Sequence, residues 1–182
     1  MTHDMSADDV VADCFRPLIG QPCWGVYNGY GSWLTLNFGT PHLEIREPNP
    51  ESDLPTFRMR AVHVKGDHQL WINMAQWRIF QDGAAIAHNE SERDVIGRAA
   101  AGLDGQVLLE AKTQPNPPVT EFTFDLGGRL WVSRYGDWEA DHGLWHLTSG
   151  ETINVLHADG RVVVERPSGE ASAQTDYGCI GI

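Results

Sequence analysis

The chain has 182 residues, of which 25 are acidic and 13 basic, giving a formal net charge of −12. This length fits one large domain or two small units that share a core, and an apolar fraction of 41 % argues against a disordered chain. The negative charge repels phosphate backbones and anionic lipids, so we expect no nucleic-acid or membrane partner. It suits a cationic protein partner, although the same charge also serves solubility alone.

The cysteines and the N-terminal stretch favour a reducing compartment. Cys14, Cys23 and Cys179 form no Cys-x-x-Cys motif, so neither a zinc knuckle nor a redox pair is indicated. Residues 1–9 lack the basic and apolar regions of a signal peptide, and no apolar run reaches the roughly 18 residues of a membrane span. We therefore expect a cytoplasmic protein with free thiols and with no bound metal or cofactor.

Two stretches with one shared pattern, residues 6–21 and 91–106, predict two short helices. Ser6 and Ser91 are the expected N-caps, and each is followed three residues later by an aspartate, as in a capping box. The stretches align without a gap at an offset of 85 residues, with six identities in sixteen positions. Pro17 is expected to end the first helix early, because proline disfavours helical geometry at the residue before it.

Strict alternation of apolar and polar residues follows each helix. Residues 34–38 and 122–126 alternate with period 2 and end at Gly39 and Gly127, which predicts strands with one buried face. Turn residues bound further predicted strands at 23–27, 60–64, 69–73, 77–80, 84–88, 106–113, 129–133, 144–147, 152–156 and 162–165. The sequence thus predicts an α+β fold, mostly antiparallel β-sheet, in which two short helices each open one of two duplicated β units. These units are residues 1–90 and 91–182, packed as one body.

Two stretches have no counterpart in the other unit. Residues 47–56 form a polar loop with three prolines. Residues 136–146 concentrate carboxylates and imidazoles, a combination also found in metal sites, but the spacing matches no ligand pattern and favours a surface loop. Candidate partner- or ligand-binding residues of this run are Asp137, Glu139, Asp141 and His142.

Aromatic and histidine side chains supply the remaining candidates. Tyr30 lies within the glycine-rich run 28–32 and Trp33 follows it directly, and both are candidate ligand- or partner-binding residues. Trp33 is on the strand face opposite Leu34, so it is exposed or faces a second layer. Most of the seven tryptophans are predicted to pack in the core or between the units. His63 and His68 flank a turn and are expected to face each other across a hairpin, either as an acid–base pair or as exposed strand ends.

The run Gln21-Pro-Cys-Trp-Gly25, followed by Gly31-Ser-Trp33-LTLNFG, resembles a motif of small, uncharacterised bacterial β-rich proteins of unknown function. The resemblance implies a β-rich fold and transfers no activity and no functional residue. Some small acidic bacterial proteins of this general kind are immunity proteins that neutralise toxins.

No catalytic motif is found, so the favoured hypothesis is a non-catalytic, intracellular protein-binding role of the immunity or accessory type. The alternative is an enzyme or small-ligand binder with its pocket between the two units, because clefts between duplicated units are common ligand sites. A structural subunit that forms a homo-oligomer is the third hypothesis.

Overall fold

A computed structural model describes residues 7–136 and 142–166. Two α-helices, α1 (Ala7–Phe15) and α2 (Arg93–Leu103), accompany thirteen strands in these ranges. The strands are β1 (Trp24–Asn28), β2 (Leu34–Phe38), β3 (His42–Arg46), β4 (Ala61–Lys65), β5 (His68–Ile72), β6 (Ala75–Gln81), β7 (Ala84–His88), β8 (Leu108–Pro115), β9 (Pro118–Phe124), β10 (Gly128–Arg134), β11 (Gly143–Ser149), β12 (Thr152–His157) and β13 (Val162–Glu165). The protein is therefore mostly antiparallel β-sheet with two short helices, as the sequence predicts.

Two large sheets enclose the core. One has the order β1-β2-β5-β11-β12-β13, the other has the order β7-β6-β10-β9-β8, and β3 and β4 form a separate two-stranded ribbon. Phe15 of α1 joins the two sheets, because its ring packs edge-on against Phe122 of β9 and Trp145 of β11, at centroid distances of 5.0 and 5.1 Å. The Trp145 indole also donates to Thr120 Oγ1 across the core, at 2.9 Å.

Each sheet contains strands from both halves of the chain. The chain leaves the first sheet after β5 and enters the second at β6, and it crosses back between β10 and β11. The helices are exchanged in the same way, since α1 packs against β8 and α2 against β1. The strand order β1-β2-β5-β11-β12 thus has the same form as β8-β9-β10-β6-β7.

The polypeptide segments before β1 and β8 meet at a local two-fold arrangement. Pro22 and Val107 form an antiparallel bridge there. Around it four backbone hydrogen bonds form two pairs with the same pattern. In the first pair, Gly20 N–H donates to Leu108 O (2.8 Å) and Gly105 N–H donates to Cys23 O (2.7 Å). In the second pair, Cys23 N–H donates to Gln106 O (2.9 Å) and Leu108 N–H donates to Gln21 O (3.0 Å). Partners in each pair are related by the offset of 85 residues.

Several sequence-based expectations are wrong in detail. β4 pairs with β3, whereas β5 pairs with β2 and β11, so His63 and His68 do not face each other across a hairpin. Ser91 does not cap α2: Glu92 is the N-cap residue, and Ser91 Oγ instead accepts the His88 backbone N–H at 3.0 Å. Ser6 lies outside the described residues. The first helix does end before Pro17, in a 3₁₀ turn over Arg16–Leu18.

No helix within the described ranges has the length and apolar character needed to cross a membrane.

Candidate functional site

The β3–β4 ribbon projects from one end of the six-stranded sheet, between β2 and β5. Its base is held tightly. Asn37 Oδ1 accepts the Gly66 backbone N–H at 3.2 Å, and a side chain at Gly66 would collide with the Phe38 carbonyl. The Thr40 backbone N–H donates to Asp67 Oδ2 at 2.8 Å and holds the pKa of that carboxyl below its usual range. The ribbon is thus anchored on the sheet by its two ends.

One face of this ribbon is apolar and exposed. In the register, Leu43 lies opposite Val64 and Ile45 lies opposite Val62, which puts all four side chains on the same face. Their exposures are 65 % for Leu43, 55 % for Ile45, 55 % for Val62 and 57 % for Val64. We call these four residues the ribbon face. A contiguous exposed apolar patch of this kind is typical of an interaction surface rather than of ordinary solvent-facing sheet.

The opposite face of the ribbon carries the polar side chains, and it is the better covered of the two. The Arg46 guanidinium lies 4.3 Å from the ring centroid of Phe57, and Arg46 Nη2 donates to the Thr56 carbonyl at 3.0 Å. Lys65 pairs with Glu44 on this face. The 3₁₀ turn Pro55–Arg58 therefore covers the polar side of the ribbon at Arg46, whereas His42 and Glu44 on that side are exposed. The apolar side has no cover among the described residues.

Tyr30 and Trp33 lie at the opposite end of β2 from the ribbon. Their rings pack edge-on with centroids 6.2 Å apart, which brings together two of the predicted site residues. Trp33 lines a shallow cleft, which has room for about one water, together with Gly29, Leu34, Thr35, Trp71, Ile72 and Asn73. We call it the Trp33–Trp71 cleft. Trp71 Nε1 and Asn73 Oδ1 are shielded from solvent and have no hydrogen-bond partner within the part of the chain that the structure describes.

The acidic histidine-containing run is described only in part. Asp137, Glu139 and Asp141 lie outside the described residues. His142 immediately precedes β11, two strands from β2 in the sheet, and its carbonyl accepts the Ala158 N–H at 2.8 Å. Within residues 7–136 and 142–166, no three His, Cys, Asp or Glu side chains are grouped so that they could hold a metal ion.

His146 lies on β11 directly opposite Trp71 of β5 in the register. Burial lowers the pKa of its imidazole to about 4, and the nearby His157 contributes in the same direction. The imidazole is therefore neutral at pH 7. His68 is engaged elsewhere, since its Nδ1 lies 2.7 Å from Ser149 Oγ.

The sequence patterns predict β4 of the ribbon, as residues 60–64, but not β3, and they indicate Trp33 of the cleft but not Trp71 or Asn73 as site residues. Residues 42–46 alternate apolar and polar side chains, which is a strand signal that could have been found. The prediction that most tryptophans pack in the core or between the units holds for Trp77 and Trp145, which are buried in the core, whereas the Trp71 indole is half-buried on the outer face of the sheet. No local sequence pattern indicates that the Trp71 indole N–H has no partner among the residues that the structure describes.

Comparison with protein-family models, with curated proteins and with solved structures finds no match to this chain. What it binds must therefore be inferred from its own geometry.

Proposed function

We propose that this protein is a non-catalytic binding protein and that the ribbon face is its contact surface for another protein. The observation that carries the proposal is the exposed apolar face of the ribbon, formed by Leu43, Ile45, Val62 and Val64. Exposed apolar area of this kind lowers the free energy of a complex when a partner removes it from water. An intracellular immunity- or accessory-type role fits such a surface.

The partner is a cationic segment that adds an extended strand to the ribbon. The whole chain carries a net charge of −12, so it attracts basic proteins and repels acidic ones. The loop between β3 and β4 exposes Glu51 and Asp53 but also Arg58 and Arg60, so the attraction comes from the charge of the whole chain rather than from the loop. β3 and β4 pair only with each other among the described strands, which leaves backbone groups on both outer edges for strand addition.

A synthetic peptide in which lysine and valine alternate tests this proposal, with a glutamate–valine peptide as the charge control. We expect the cationic peptide to bind with an affinity that falls as salt is raised, and the acidic peptide not to bind. The double substitution Ile45→Thr and Val62→Thr should weaken binding about tenfold or more, because it removes apolar contact area. Val164→Thr on β13 is the matched control, since Val164 is 60 % exposed but lies outside the ribbon.

Equal binding by the ribbon variant and the wild-type chain would refute the proposed surface. Equal loss in the Val164→Thr control would refute it as well. A second copy of the chain is the competing occupant. Sedimentation that shows a dimer dissociated by the ribbon substitutions would assign the ribbon face to self-association and overturn the cationic partner.

We also propose that residues 1–90 and 91–182 are two copies of one helix-then-strands unit that exchange strands within one body. The shared strand order and the hydrogen bonds exchanged around Pro22 and Val107 support this proposal. Gly20 and Gly105 are matched by the offset of 85 and have φ of +84° and +88°, with open space around both. Gly20→Ala and Gly105→Ala should therefore destabilise by the same amount, about 1 kcal/mol each, and unequal losses in chemical denaturation would contradict the equivalence.

A further inference from the structure

The two outer edges of the β3–β4 ribbon differ in how open they are. Every residue of β3 except Arg46 is exposed, whereas the residues of β4 alternate between half-buried and exposed. The half-buried ones lie on the polar side and are Ala61, His63 and Lys65, and the His63 Nε2 atom is shielded from solvent. A strand added beside β3 therefore meets side chains that are accessible on both faces, while one beside β4 meets a polar side that is already partly covered.

The charges on the polar side of the ribbon also separate the two edges. The central residue of β3 is Glu44, with a side chain that is 49 % exposed, whereas β4 carries Lys65 and no acidic residue. Arg46, at the end of β3, is engaged by the Phe57 ring and the Thr56 carbonyl. A basic side chain of an added strand would thus lie beside a carboxylate at the β3 edge and beside an ammonium group at the β4 edge.

The Glu44 carboxylate has one oxygen left for such a basic side chain. Lys65 pairs with Glu44 Oε2 across the ribbon, and Oε1 has no partner among the residues that the structure describes. The two oxygens of a carboxylate can accept from different donors, so Glu44 can hold Lys65 on one side and a second cation on the other. The residues before and after that cation in the added strand point to the ribbon face, beside Leu43 and Ile45, because side chains alternate along a strand.

We propose that the cationic partner adds its strand to the β3 edge and that Glu44 pairs with a basic residue at the centre of that strand. This inference rests on the proposed function of the ribbon face and names the segment that fits it. The segment has a basic residue opposite Glu44, with an apolar residue on each side of it in the sequence. The net charge of −12 attracts basic proteins of any sequence, whereas Glu44 selects the edge and the register.

The probes are the peptide Val-Thr-Val-Lys-Val-Thr-Val and the same peptide with glutamate in place of lysine, and the variants are Glu44→Lys and the control Glu110→Lys. Glu110 lies on β8 of the other large sheet, is 48 % exposed and pairs with Lys112, so its substitution changes the net charge equally but leaves the ribbon intact. We expect Glu44→Lys to lower the ratio of the affinities for the lysine and the glutamate peptide about tenfold or more, because an attractive pair becomes a repulsive one. Glu110→Lys should change that ratio by less than about twofold at physiological salt, since exposed charges are screened over a short distance.

Amide hydrogen exchange of the full chain identifies the edge. Binding of the lysine peptide should slow the exchange of the β3 amide protons that point away from β4, because main-chain hydrogen bonds form there. Slower exchange along the outer edge of β4 instead would overturn the choice of edge.

The outcomes separate this inference from the proposed function. Equal changes of the affinity ratio in Glu44→Lys and Glu110→Lys would mean that only the net charge is sensed, and they would overturn the role of Glu44. The proposed function would still stand if the Ile45→Thr and Val62→Thr double variant binds more weakly. Failure of the wild-type chain to bind the alternating lysine–valine peptide would refute the proposed function, and this inference with it.

Discussion

Gln106 and Gln21 occupy matching positions after the two helices, yet Gln106 makes more hydrogen bonds and is more deeply buried. Both side-chain amides donate to the carbonyl four residues back, at 2.7 Å in each case. Gln106 is only 4 % exposed and makes two further bonds: it donates to Gln81 Oε1 at 3.2 Å and accepts the buried Gly128 N–H at 3.0 Å. We expect Gln106→Ala to be much more destabilising than Gln21→Ala.

The hydrogen bonds give the magnitude. A typical hydrogen bond contributes about 1 kcal/mol net, and a buried donor left unpaired costs about 1–3 kcal/mol. Gln106→Ala removes three hydrogen bonds and leaves the buried Gly128 N–H without its acceptor. The free energy of unfolding should therefore fall by about 3 kcal/mol. Gln21→Ala removes one partly exposed bond and should cost about 1 kcal/mol. For a chain of this length, a loss of about 3 kcal/mol corresponds to a fall in Tm of roughly 6–12 °C.

Urea denaturation followed by tryptophan fluorescence measures both losses by linear extrapolation. Gln106→Met is the packing control: it has a similar volume but makes none of the three bonds, so its loss should match that of Gln106→Ala if the hydrogen bonds carry the effect. Equal losses for Gln106→Ala and Gln21→Ala would refute the reasoning.

Three further predictions follow from buried polar groups. Thr120→Val should cost about 1–3 kcal/mol in denaturation experiments, because the Trp145 indole and the Thr113 hydroxyl both lose their 2.9 Å partner; a loss below 0.5 kcal/mol would contradict a role for this network. The pKa of His146 is about 4 in the folded protein and near 6.5 in the unfolded chain. Between these pH values the unfolded chain binds a proton that the folded protein does not. The free energy of unfolding should therefore fall as the pH drops from 6.5 to 4, by at most about 3 kcal/mol. His146→Gln should flatten that pH dependence, and an unchanged profile would be inconsistent with it. Burial raises the pKa of Cys23 to about 12. A thiol reagent at pH 8 should therefore modify Cys23 only after unfolding, as mass spectrometry of the labelled peptides would show. Rapid modification of Cys23 in the native protein would count against its burial.

Local patterns predict the elements of this fold much better than their pairing. The alternation in residues 34–38 reports a strand correctly, yet all five residues of β2 are buried, including Thr35 and Asn37. Asn37 is buried because it satisfies its polar atoms inside the sheet, with Gln69 Nε2 donating to its Oδ1 at 3.0 Å. The period of a strand can be read locally, but whether its second face is covered depends on residues far away in the chain.

In the candidate sites, too, residues that follow from a local pattern could be predicted, whereas those brought in by distant strand pairing could not. Tyr30 and Trp33 could be singled out because a glycine-rich turn places aromatic residues beside a strand. Trp71 and Asn73 could not be added to them, since β5 joins β2 only after the chain has made the ribbon excursion of residues 40–66. The prolines in residues 47–56 indicate the loop correctly, but they do not reveal that it packs on Arg46 and leaves the apolar face uncovered.

The exchange of strands between the two halves has a consequence for synthesis on the ribosome. β5 is flanked by β2 and by β11, and β11 ends only at Ser149. The six-stranded sheet therefore cannot form around β5 until most of the chain has left the exit tunnel, and the same long-range pairing slows folding. During that interval residues 43–64 are already exposed, with their apolar side chains and free strand edges, which makes the nascent ribbon prone to aggregation. A partner that binds the ribbon face early would protect the growing chain as well as associate with the finished protein.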